Sequence, residues 1–160
     1  MKKKPKFKLT SFDPSLLDLI QSADQKTAGR WALNCAKRVL PYFSDRYPGD
    51  QRPQEALEAL QDWIRTSAFS MRAIRAAALA SHAAAREVGE DSPARSAARA
   101  AGQAVSTAHV RTHAIATSAY ALQAIHRAAE PEEFERRVAQ EGDWQKRCLE
   151  ELMGGESVDV

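Results

Sequence analysis

The sequence predicts an all-α, single-domain bundle of five to seven helices around a central alanine-rich antiparallel helix pair. Three observations carry this. Alanine, the strongest helix former, dominates from Ala73 to Ala129. No sustained stretch alternates β-branched with polar residues, and no Asn-Gly or Asp-Gly pair marks a hairpin. Capping residues, prolines and glycines recur at helix-length intervals. A chain of 160 residues is long enough to bury one core without staples.

Each element has a start signal. Asp13-Pro14 caps and opens a short first helix through Leu16, Leu17, Leu19 and Ile20. Asp24 starts a second, with Trp31, Cys35 and Val39 on one stripe, ending between Pro41 and Ser44. The Pro-, Gly- and Asp-rich stretch SDRYPGDQRP is a loop. Pro53 suits the first turn of a third helix bearing Leu57, Leu60, Trp63 and Ile64. Ser70 caps a fourth helix, which stops at Gly89. Ser92 and Pro93 then open a nearly continuous helical signal to Ala129. Unbroken, it would form a rod on the order of 50 Å long, so a bend or break near Gly102 is expected. Pro131 opens the last helix, which Gly142 is placed to interrupt. Small side chains let helices approach closely. The stripe Ala94, Ala98, Ala101, Val105, Ala108, Thr112, Ile115, Ala119, Leu122 is therefore expected to pack on the stripe Met71, Ile74, Ala78, His82, Ala85. The folded domain is expected over 13–152, between a basic disordered tail at 1–12 and a frayed C-terminus at 153–160.

Charge and cysteine usage narrow the function classes. Five lysines lie within the first eight residues, and without them the net charge of +2 becomes −3. A body so charged has no general pull on nucleic acid. No apolar run reaches the roughly 18 residues that span a bilayer, which argues against a membrane partner. No apolar segment follows the basic start, so a cytoplasmic location is expected. Cys35 and Cys148 form no metal-binding spacing and read as reduced core thiols.

The stretch HVRTHAIATSAYALQAIH, from His109 to His126, holds three of the four histidines. His109 and His113 share a helical face and can chelate a metal from one side. A closed site needs further ligands, and no Asp or Glu lies between Asp91 and Glu130. His82 would complete a polar cluster with His109 and His113 if the central helices pair. The alternative is that these imidazoles hydrogen-bond between close-packed helices. No metal and no cofactor is expected. The same face reads Gly102, Ser106, His109, His113, Ala116, Tyr120, small and polar and then aromatic, a pattern that can line a contact with another chain. The loop residues Tyr47, Asp50 and Arg52 can serve a partner or a local cap and ion pair. Arg72, Arg75 and Arg86 fall close to one face of the fourth helix, as a solvated edge or a docking surface for an acidic partner. There is no GxSxG elbow, glycine-rich phosphate loop or acidic pair, so no catalytic residue is assigned and an enzyme is not expected.

Four segments, WALNCAKRVLPYF, GDQRPQEALEALQDWI, RAAALASHAAAREV and AARAAGQAVSTAHVRTHAIATSAYAL, together resemble the immunity-five-like group of immunity proteins in bacterial polymorphic-toxin systems. The resemblance spans Ala28 to Ala129 and rests on the order and spacing of the segments. It implies recurring positions at Trp31, Cys35, Arg38, Asp50, Arg52, Pro53, Trp63, His82, Ala101, Gly102, His109, His113 and Tyr120. Gln103 departs from the pattern, where a histidine is common. What the resemblance implies is a non-enzymatic protein that neutralises a cognate bacterial toxin by protein–protein binding; the surface of Tyr47, Asp50, Arg52, His109, His113 and Tyr120 is expected to contribute to the contact. Two other readings stay open: a histidine-based metal-binding or enzymatic bundle, and a homodimeric helical scaffold.

Overall fold

The computed structural model describes residues 3–10 and 12–154. Within them the chain is helical, with no strand. Seven full helices and one single turn follow in order: α1 (Pro14–Ser22), α2 (Gln25–Val39), the turn α3 (Pro41–Ser44), α4 (Arg52–Thr66), α5 (Met71–Glu87), α6 (Pro93–Ser106), α7 (His113–Ala128) and α8 (Phe134–Met153). The start signals act as the sequence implies. Asp13, Asp24, Ser70 and Ser92 each accept a backbone N–H of the first turn of their helix. After α5, Gly89 adopts φ +76°, a left-handed conformation that suits glycine.

The long alanine-rich segment does break into two helices, but not at Gly102. The chain reverses at Thr107–Thr112, several residues past Gly102. Low-propensity Val, Ser, Thr and His crowd this stretch. Ser106 and Thr107 turn their hydroxyls back onto the carbonyls of Gly102 and Gln103. The freed carbonyls of Thr107 and Ala108 are capped from outside: Gln25 Nε2 donates to both, at 3.2 and 2.7 Å. The central antiparallel pair is accordingly α6 and α7. No residue of either is exposed. Helix α5 packs antiparallel on α6 from outside, with Ser81 Oγ donating to the Ala98 carbonyl at 2.8 Å. Helix α8 begins at Phe134 after a turn at Pro131 and runs straight through Gly142, beside which there is open space.

Helices α2 and α8 close the other side. Trp31, fully buried, donates its indole N–H to the Gln145 carbonyl at 2.7 Å. The Gln145 side chain accepts from Ser118 Oγ at 2.7 Å and returns a bond to the Ser118 carbonyl. One buried residue, through its backbone carbonyl and its side-chain amide, thus ties α2, α7 and α8 together. Cys35 and Cys148 are free and buried, as expected, and burial raises both thiol pKa values. Arg38 grips the buried carboxylate of Glu141 through two bonds of 2.7 and 2.9 Å and lies over the Trp144 ring, 3.9 Å from its centroid.

The basic start touches the body. Lys4 Nζ donates to the carbonyls of His126, Arg127 and Ala129, so it caps the C-terminal end of α7. The Phe7 ring lies 5.5 Å from that of His126. Of the segments expected to be disordered or frayed, residues 1, 2, 11 and 155–160 lie outside the described residues.

Arg38→Ala is expected to lower stability by about 2 kcal/mol, because it strands the Glu141 carboxylate in the core. Chemical denaturation of R38A against E141Q and the double variant checks this; the double variant is expected to cost less than the sum.

Candidate functional site

Two groups of polar residues were expected to meet a partner, and α5 lies between them. The first is the loop before α4. Asp50 accepts the Arg52 backbone N–H at 3.1 Å and its guanidinium at 2.9 and 2.7 Å. The other side of that guanidinium pairs with Glu87, the last residue of α5. These contacts hold the Asp50 and Glu87 carboxyls below their usual range and push Arg52 up. The loop therefore clamps the C-terminal end of α5 to the start of α4. Tyr47 is half-buried, its ring 5.2 Å from that of Phe43.

The second group surrounds the α6–α7 reversal. His109 lies in the turn and His113 opens α7, with ring centroids 5.4 Å apart. Gln103 Oε1 accepts from His113 Nδ1 at 2.8 Å, which places the ring proton on Nδ1 and leaves Nε2 with its lone pair. Gln103, where a histidine was expected from the resemblance, thus positions the His113 ring. His109 Nδ1 is buried with no partner. Near it an open groove is lined by Gln21, Gln25, His109, Val110, Arg111 and Thr112. Tyr120 is half-buried, further along α7.

His82 comes from α5. Its ring lies against Gly102 of α6, so closely that a Cβ there would fall 2.7 Å from Cε1 and 2.8 Å from Nε2. Gly102 is needed for that approach, not for a bend. His82 Nδ1 is buried without a partner. Burial, then the charges of Arg99, Arg86 and His113, push its pKa down from 6.5 to about 4. Burial and His109 likewise lower His113. A ring so placed stays neutral at physiological pH and fills space between helices. Among the described residues, no three of His, Cys, Asp or Glu converge closely enough to hold a metal ion.

No hydrogen bond or ion pair joins the two groups directly among the described residues. Helix α5 reaches both, through Glu87 at Arg52 and through His82 beside Gly102. Its outer face carries Arg72, Arg75 and Arg86, all exposed and without an ion pair among the described residues. Leu79 stands among them at 65 % exposure. The sequence reading missed Leu79. The signal was present: Ile74, Ala78 and Ala85 mark the inner face, and at about 100° per residue Leu79 falls well off that face.

Residues 18–152 match the family described as Imm-5 like putative immunity protein. The chain belongs to this family. No curated protein and no solved structure matches it. Membership accords with the resemblance in the α2, α4, α5 and α6–α7 segments, and it points to a toxin as the partner of an immunity-family chain. Among the described residues no helix is long and apolar enough to cross a membrane.

Gly102→Ala is expected to destabilise the chain by about 1–3 kcal/mol by driving the His82 ring from its seat. Adding His82→Ala to G102A is expected to cost less than His82→Ala alone, a coupling that a double-mutant cycle in denaturant measures.

The sign of the pH effect follows from the depressed His82 pKa. The unfolded chain takes up this proton near pH 6.5, the folded chain only near pH 4. The associated stability is present above 6.5 and is lost as pH falls toward 4. The loss amounts to about 2 kcal/mol after allowance for solvent screening. Denaturation midpoints across that window are expected to fall less steeply for H82Q.

Proposed function

We propose that this chain neutralises a cognate bacterial toxin by binding it, without chemistry of its own. The observation that carries the reading is family membership over nearly all of the folded chain. The histidines support it by their placement. His82 is wedged against Gly102, His113 is held by Gln103, and both are kept neutral by burial. The partly exposed loop of Tyr47, Asp50 and Arg52, and the edge of His109, His113 and Tyr120, contribute to the contact. Inhibitory surfaces of this kind rest on a few aromatic and arginine anchors inside a polar rim.

Co-expression with the toxin domain encoded beside this chain's gene tests the reading. Restored growth and an equimolar complex by light scattering are expected. D50A/R52A and H109A/H113A/Y120A are each expected to weaken the complex by about tenfold. Toxicity unchanged by the chain, with no complex in solution, would contradict it.

A further inference from the structure

We propose that the outer face of α5 docks an acidic protein surface, with Leu79 as the apolar anchor between Arg72, Arg75 and Arg86. This deepens the toxin-binding reading and rests on it for the partner's identity.

The face is built from a simple register. Arg72, Leu79 and Arg86 recur every seven residues, so they form one line down the helix, with Arg75 beside it. The outer arginines are about 21 Å apart along the axis. All three arginines are exposed, and no ion pair or hydrogen bond engages their side chains among the described residues. Three other exposed arginines have such partners, Arg46 with Glu90, Arg65 with Asp62 and Arg136 with Glu133, while Arg30 and Arg147 stand singly on other helices; among the described residues, only on α5 do three unpaired arginines share one face. Apolar surface is exposed along the same helix and just before its start. Phe69 is 49 % exposed, Met71 38 % and Leu79 65 %, half of the large hydrophobics exposed in the described chain. Three arginines around exposed apolar side chains have the composition of an interface centre.

Charge selects the occupant. A second copy packed antiparallel about Leu79 would set Arg72 against Arg86, like charge on like charge, a costly arrangement. A nucleic acid would gain three phosphate contacts but leave Leu79 and Phe69 without an apolar partner, and the body beyond residue 8 carries a net −3. An acidic protein surface with an apolar patch satisfies both features. The face is also held firm. Arg52 fixes Glu87 at one end of α5, Ser70 caps the other, and Ser81 bonds into α6 between them. A rigid helix face loses little entropy on binding.

The test has two arms, using the full chain, R72E/R75E/R86E, L79D, and R147E as a charge reversal on α8. Unfolding is followed first; the α5 variants are expected within about 0.5 kcal/mol of the parent, since their side chains have no internal partner. In the first arm, calorimetry follows binding to a catalytically inactivated toxin domain from the adjacent reading frame. R72E/R75E/R86E is expected to weaken binding by about 100-fold and L79D by about tenfold, with R147E unchanged. Parent affinity should fall between about 0.05 and 0.5 M salt, and the triple variant should lose most of that dependence. Retained affinity in the triple variant overturns the proposal while leaving the toxin reading standing. If the parent chain does not bind the toxin domain, that reading fails for this partner, and the second arm decides the face. There, amide spectra of the labelled chain are titrated with a synthetic glutamate–leucine helix and with its lysine counterpart. Shifts confined to α5 with the acidic helix alone, and absent in R72E/R75E/R86E, support the proposal. No shifts, or equal shifts with both helices, overturn it. So does a parent dimer that L79D dissociates, or binding of duplex DNA that the triple variant abolishes.

Discussion

The structure depends on the enclosure of α6. Ala94, Ala97, Ala98, Ala100, Ala101, Gly102 and Ala104 give it almost no side-chain thickness, and it has no exposed residue. Neighbouring helices therefore approach its backbone closely. A helix enclosed on most sides must satisfy its end groups largely from the protein itself. Ser92 does so at its start, and Gln25 reaches across from α2 to its last turn. The larger side chains that fill the core come from elsewhere: Trp31 and Val39 from α2, Phe43 from α3, Leu57 and Leu60 from α4, and Leu149 from α8. Small residues at the centre and large ones around it make the packing of α2, α3, α4, α5 and α7 depend directly on α6.

This constraint explains the histidines. Imidazoles near a metal or substrate need a cavity and converging ligands. Here His82 sits against glycine, and Gln103 takes the available hydrogen of His113. Their depressed pKa values come first from burial, the mark of a neutral ring in a packed interior. The polar residues that tie helices together follow the same logic. Gln145 joins three helices because its backbone carbonyl accepts from Trp31 and its side-chain amide from Ser118. Arg38 closes over Glu141 because a lone buried carboxylate is costly.

Much of this was legible in the sequence. The caps at Asp13, Asp24, Ser70 and Ser92 and the stop at Gly89 need only local chemistry, and local chemistry can be read from a chain. A break in the long alanine-rich segment was legible but its position after Ser106 was not, because alanine propensity on both sides argued for continuity and only Gly102 marked a weak point. What decides it is distant: Gln25, some 80 residues earlier, caps the broken end. The clamp of Arg52 on Glu87 and the grip of Arg38 on Glu141 are long-range pairs for the same reason. Within the candidate site, the arginines of α5 stood out by spacing. Leu79 did not, since one leucine among alanines reads as core until the buried face is fixed by its neighbours.

Native-state hydrogen exchange tests the enclosure of α6 most directly. The account predicts that amides from Ala97 to Val105 exchange only through global unfolding, with the same denaturant dependence as the whole chain, while α1 and the ends of α8 open earlier. Exchange of α6 at a free energy well below global unfolding, or release of α6 together with α5 while the remaining helices stay protected, would contradict it.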